Sequence, residues 1–149
     1  MLKNFVVFAC VLVAANAVSK EFMEKMMSKM MDVGQKCMVE TKASSDDIAK
    51  LLAHQIPDTN EGKCMIFCFH KAFGVQTPDG ALSLEGAIAS LDPIKADDME
   101  LYEKVKSVFE TCIPKTAVDA DPCITAATLG ECASDVGKSL GISPDMFEV

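Results

Sequence analysis

GKCMIFCFH, residues 62–70, sets two cysteines four positions apart. On a helix they lie about 40° from each other, so Cys64 and Cys68 share one face. Stacked in that way they sit poorly for bonding each other, and each is expected to tie this helix to a different neighbour. Further along, CITAATLGEC at 123–132 does the opposite. Cys123 and Cys132 are nine residues apart, about 180° of rotation, and project from opposite sides of one helix. That helix is expected to be stapled on both flanks and to lie between other elements. Cys37 and Cys112 complete a set of six, with intervening stretches of 26, 3, 43, 10 and 8 residues. An even set behind a secretion signal reads as a disulfide framework, because thiols oxidise and stay oxidised outside the cytosol. Zinc knuckles favour CxxC, whereas the closest pair here is CxxxC. Of the 15 pairings that six cysteines allow, the geometry removes those joining Cys64 to Cys68 and disfavours a Cys123–Cys132 loop. The others stay open.

The secretion signal is expected at residues 1–17. Lys3 gives a positive start, FVVFACVLVAA an apolar run too short to span a bilayer with the usual margin, and Ala15-Asn16-Ala17 a small-x-small cleavage site. The seventh cysteine, Cys10, leaves with it. The mature domain is then 18–149, a single domain by length. It carries 22 acidic and 13 basic side chains, a net charge of −9, and no arginine. Nucleic acid and anionic membrane surfaces call for clustered basic charge, so neither is an expected partner.

Between these ends the hydrophobic pattern is helical throughout, with no convincing period-2 stretch. Met23, Met26, Met27 and Met30 mark a long amphipathic first helix over about 20–40 that includes Cys37. Ser44 or Ser45 caps a second helix, followed by Asp46 and Asp47 and bounded by Pro57. Asn60 and Glu61 open a third, running through Lys71 to Gly74. After a turn at 77–80, Leu84, Ile88 and Leu91 give a short fourth helix ended before Pro93. Met99 to Cys112 gives a fifth, ended by Pro114. Asp121 and Pro122 start a sixth that reaches about Ser139. Its Ile124, Ala126, Ala127, Leu129, Ala133 and Val136 are apolar most of the way round, as suits a central helix.

Taken together, the signal, the acidic helical chain and C-x26-C-x3-C-x43-C-x10-C-x8-C resemble the insect odorant-binding proteins of the general and pheromone-binding type. The x3 and x8 gaps are the fixed features of that signature, and the likeness covers the whole mature chain. The resemblance implies an all-α fold, a compact bundle of about six helices stapled by three disulfides around an internal apolar cavity. It implies the pairs Cys37–Cys68, Cys64–Cys123 and Cys112–Cys132. It implies a secreted carrier of small hydrophobic odorants or pheromones, moving them through sensillar lymph to olfactory receptors. The alternative is a non-olfactory secreted carrier or scavenger of lipids, hormones or plant metabolites. The expected partners are a small apolar ligand and an olfactory receptor, and the chain is expected as a monomer or weak homodimer. One departure stands out: many members place Trp near the pocket, and this chain has none, so stacking on a ligand falls to Phe.

The candidate pocket residues are Met26, Met30, Leu51, Phe67, Phe73, Leu84, Ile88, Val105, Val108, Phe109, Leu129 and Phe147. Methionine and phenylalanine supply soft, adaptable apolar surface. Ordinary core is the competing role for each of them, because close-packed interiors rarely hold a cavity. The tail from Ile142, with Met146, Phe147 and Val149, is expected to fold back as a wall or lid. His54 and His70 invite a pH-switch role, against the commoner solvent-facing histidine at a helix end. No metal site or cofactor is expected: the acidic run at 95–104 lacks the alternating ligands of a calcium loop. GxSxG and HExxH are both absent, and no catalytic residue is assigned. A third class, a stapled effector that binds a protein, calls for an exposed apolar patch in place of a cavity.

Overall fold

The structure, a computed structural model, describes residues 18–142. The expected signal peptide with Cys10, and the tail residues 143–149 with Phe147, lie outside the described residues. Seven α-helices and one 3₁₀ turn occur in the described chain: α1 Lys20–Thr41, α2 Ser45–Leu52, α3 Asn60–Ala72, α4 Leu84–Ala89, α5 Asp92–Asp97, α6 Met99–Cys112, the 3₁₀ turn Ile113–Lys115, and α7 Pro122–Ser139. Each boundary has a local cause. Ser19, Ser44, Thr59, Ser83, Asp98 and Asp121 accept backbone N–H bonds at the starts of α1, α2, α3, α4, α6 and α7. Lys42 and His54 turn left-handed just past α1 and α2 (φ 58° and 56°), and Gly74 does so past α3 (φ 73°).

Two boundaries and the exposure of one residue differ from the sequence expectation. The fourth helix ends at Ala89, short of Leu91, and a separate helix α5 follows. Pro93 is no terminator there: it occupies the first turn of α5, where its missing N–H costs nothing. Pro114 likewise sits inside the 3₁₀ turn that extends α6. Finally, Ile124 is 41% exposed, so α7 is buried over a broad face and not all round.

The packing order follows the staples. α1 packs on α3, α3 on α7, and α7 on α6. Disulfides join the same neighbours as Cys37–Cys68, Cys64–Cys123 and Cys112–Cys132. α6 also carries α4 and α5. Ser19, at the start of α1, donates its backbone N–H (2.9 Å) and its hydroxyl to the Asp97 carboxylate at the end of α5. These contacts close a ring of elements, α1–α3–α7–α6–α5, around the interior. Gly86 of α4 fits beside the Gly74 turn because it lacks a side chain: a Cβ there would lie 2.1 Å from the Gly74 carbonyl oxygen.

α2 is locked to α3 by one buried carboxylate. Asp47 accepts from the Thr59 hydroxyl (2.5 Å), the Ser44 hydroxyl (2.7 Å) and the Ser44 N–H (2.9 Å). Thr59 in turn caps α3 at the Gly62 N–H. The Thr59 bond, then the two Ser44 bonds, hold the Asp47 carboxyl below the usual aspartate range. Its contribution to stability is present above the unfolded-state pKa and is lost as pH falls through the lower folded one. Asp47→Asn is expected to destabilise the protein at neutral pH and to flatten the acid side of its stability profile. Urea unfolding across pH measures this; equal stability of variant and parent at neutral pH would remove Asp47 from the account.

Candidate functional site

The interior is built from two apolar clusters. In the larger, Val75, Ala87, Val108, Cys112 and Leu129 are buried, and Phe73, Phe109, Ala133, Val136 and Ile142 pack against them while only partly buried. In the smaller, Cys37, Met65 and Cys68 are buried, with Val33, Leu51 and Phe69 alongside. α1 crosses α3 antiparallel: Thr41 reaches Met65, Cys37 bonds Cys68, a Cβ on Gly34 would lie 3.6 Å from Phe69, and Lys29 Nζ stands 4.8 Å from the Phe73 ring centre. The Phe69 and Phe73 rings are near-parallel, 6.4 Å apart. Beyond Lys29, the first turns of α1 run past the end of α3 towards α5, where Met23 is buried.

Two residues are more accessible than their helical phase allows. Val105 lies in the middle of the inner face of α6, among Leu101, Tyr102, Val108 and Cys112, all of which are buried. Val105 itself is only partly buried. Met30 lies between Met23 and Cys37 on the inner face of α1; both of those are buried, and Met30 is 41% exposed. A residue so placed keeps accessible surface where the opposing layer leaves it uncovered. Met26, Leu84 and Ile88 are also partly buried; Leu84 and Ile88 share a face of α4 with the fully buried Ala87.

Of the expected pocket residues, Phe73, Val108, Phe109 and Leu129 therefore come together in one cluster, and Leu51 joins the other. Phe67 stands apart. The Lys71 ammonium lies 4.8 Å from its ring centre, and that lysine is ion-paired to Glu40 (2.8 Å), which puts Phe67 at the α1–α3 seam. The methionine stripe of α1 is mostly outward: Met27 and Met31 are 50% and 61% exposed, and of the four methionines at 23, 26, 27 and 30 only Met23 is buried. An open groove of about 250 Å³ is lined by Leu51, His54, Ile56, Ile66, Gly130 and Ser134, between α2, α3 and α7. Phe69 went unnoticed in the sequence, although its spacing of four from both Met65 and Phe73 places it on the same face of α3.

The interior's polar groups are few and satisfied. His70 Nδ1 is 2.7 Å from the Gln76 side-chain oxygen. The Gln76 amide NH₂ donates to the Gly80 and Pro122 carbonyls (3.1 and 3.3 Å), so its oxygen must accept, and Nδ1 of His70 carries the hydrogen. The link ties the end of α3 to the start of α7. Burial pushes His70 below the ordinary histidine value, against a smaller opposing effect of the Gln76 bond. His70 is thus only partly accessible, contrary to the solvent-facing role common for a histidine near a helix end; His54 is exposed, in the left-handed turn after α2. Among the described residues, no group of three or more His, Cys, Asp or Glu stands where it would hold a metal ion.

Known proteins share this arrangement. General odorant-binding protein 28a of Drosophila melanogaster is 25% identical over 138 residues, covering 92% of this chain and 96% of the relative. General odorant-binding protein 19d of the same species is 26% identical over 111 residues, 74% of this chain and 73% of the relative. A solved structure of the Drosophila melanogaster odorant-binding protein dmelOBP28a matches with a TM-score of 0.69 at 24% identity, covering 81% of this chain and 99% of that one. The crystal structure of the Locusta migratoria odorant-binding protein lmigOBP1 matches with a TM-score of 0.66 at 20% identity, covering 89% and 94%. Residues 19–135, from the cap of α1 through most of α7, match the model of the PBP/GOBP family, and the chain belongs to that family.

Proposed function

We propose that this protein is a secreted carrier that takes one small hydrophobic odorant or pheromone into the space beside Met30 and Val105 and delivers it to olfactory receptors. The observation that carries the reading is the residual accessibility of those two residues, each at the middle of an otherwise buried helix face. Family membership supports the ligand class. The lining offered to a ligand is apolar: Met26, Met30, Leu84, Ile88 and Val105, with Phe73 and Phe109 available for ring contacts. Such a site holds its ligand by removing apolar surface from water, at about 25 cal/mol per Å², and offers few directional bonds to discriminate closely related compounds. The carrier works by binding and release, with no chemical step.

Displacement of an apolar naphthylamine dye by candidate odorants tests this. For ligands of about 10–20 heavy atoms the expected dissociation constants are about micromolar, near −8 kcal/mol. Absence of saturable binding by the folded, disulfide-bonded protein would contradict the carrier reading.

A further inference from the structure

Methionine crowds the first half of α1, and three of its thioethers stand in the open. Met27, Met30 and Met31 are 50%, 41% and 61% exposed, and none of them belongs to either core cluster. Positions three and four apart on a helix are surface neighbours, with Cβ atoms about 5–6 Å apart, so Met30 and Met31 both adjoin Met27. Long side chains on a helix lean towards its N-terminus. That lean carries the sulfurs of Met30 and Met31 back over the turn that Met27 begins. With three rotatable bonds in each side chain, the three thioethers can close on one point outside the helix.

Ligand sets of His, Cys, Asp or Glu are absent among the described residues, and thioether sulfur is a different donor. It is soft and uncharged, which suits a soft cation such as copper(I). Zinc, calcium and magnesium find there none of the nitrogen, thiolate or oxygen ligands they take. The charges on α1 favour a cation at that point. Glu24 precedes Met27 by about one turn, whereas Lys25, Lys29 and Lys36 lie about 160–200° around the axis from Met27. Lys25 is ion-paired to Glu21 (2.7 Å), and Lys29 stands over the Phe73 ring on α3. The remaining lysine of the helix, Lys20, lies about two turns before Met27 and 3.9 Å from Glu24. The mature chain's excess of acidic over basic side chains adds to the attraction. From the converging sulfurs and this field we propose that Met27, Met30 and Met31 form a three-coordinate site for copper(I). The cysteines at 37, 64, 68, 112, 123 and 132 are tied up in disulfides, so none of them competes for the ion as a thiolate. The site shares only Met30 with the ligand space and does not depend on the carrier reading.

Titration of the mature, disulfide-bonded protein, followed through its methionine methyl signals by nuclear magnetic resonance, tests the proposal. Silver(I) in chloride-free buffer is the redox-inert probe, and copper(I) kept reduced by ascorbate is the second. One equivalent of either ion is expected to shift the methyls of Met27, Met30 and Met31 together, ahead of those of Met38 and Met99. The latter two are 43% and 53% exposed but have no methionine three or four residues away, so they register binding to a single accessible thioether. Met27→Leu and Met31→Leu are each expected to weaken silver(I) binding by more than tenfold, and Met38→Leu by less than twofold. Leucine keeps the volume and the helix preference of methionine, and the methyl shifts of the parent need no variant at all. Affinity should change less than threefold between pH 7 and pH 5, because a thioether has no proton to lose. A site built on His54 or His70 would weaken across that range. Equal shifts of all the exposed methionines would overturn the proposal, leaving adventitious binding only. So would affinity that falls with histidine protonation, leucine variants without effect, or silver(I) binding that copper(I) does not reproduce.

Discussion

Replacing Cys64 and Cys123 together by alanine is expected to lower folding stability by about 4 kcal/mol. This bridge spans 59 residues of sequence, the longest separation of the three. Closing a loop of that length removes about 4.3 kcal/mol of chain entropy from the unfolded state, against about 3.3 kcal/mol for a 20-residue loop. It also joins α3 to α7, the most extensive helix pairing in the fold. For a domain of this size the loss corresponds to a fall in melting temperature of roughly 12–20 °C. Urea and thermal unfolding followed by far-ultraviolet circular dichroism measure it. The Cys112–Cys132 double alanine variant, with a separation of 20, is expected to lose less. A Cys64–Cys123 loss below about 1 kcal/mol would mean that the unfolded chain is already restrained without the bridge.

The second large effect separates room from packing. Val105 and Val108 are both on α6 and both point inward, but Val108 belongs to the packed cluster with Leu129 and Cys112, and Val105 keeps accessible surface. Val105→Phe is therefore expected to fill the ligand space. Ligand affinity should fall at least tenfold, with stability within about 1 kcal/mol of the parent. Val108→Phe enters a filled position and should cost about 1–3 kcal/mol of stability through overpacking. Dye displacement and urea unfolding of the same two variants give both readouts. Equal destabilisation by the two substitutions would mean that no room exists beside Val105.

The sequence is most informative where the physics is local. N-caps at Ser44 and Asp121 are legible because a short polar side chain before a helical run has one favourable use. The opposed faces of Cys123 and Cys132 foretell a helix stapled on two sides, as α7 is. The features that escape a sequence reading depend on tertiary context. Pro93 reads as a stop, although the same residue serves equally well in the first turn of a new helix. Its short helix α5 is delimited by Asp98, extended at φ −142°, which starts α6 immediately. The α1 methionines read as one stripe of candidate pocket lining because periodicity gives a face without saying how much of it is covered: Met23 is buried and Met27 is half exposed. Gln76, buried and holding His70 to α7, is bridged to Leu82 in the segment between α3 and α4, whose sequence shows no period at all. The pocket is legible only through the six-cysteine resemblance, because residues that line a void and residues that fill a core have the same composition.

The central claim is that the ligand lies beside Met30 and Val105. The most direct measurement is methyl nuclear Overhauser spectroscopy on isotope-labelled, disulfide-bonded protein saturated with the apolar naphthylamine dye. Intermolecular contacts are expected from dye protons to the methyl groups of Met26, Met30, Leu84, Ile88 and Val105. Contacts confined to Leu51, Ile56 and Ile66, in the open groove between α2, α3 and α7, would contradict it.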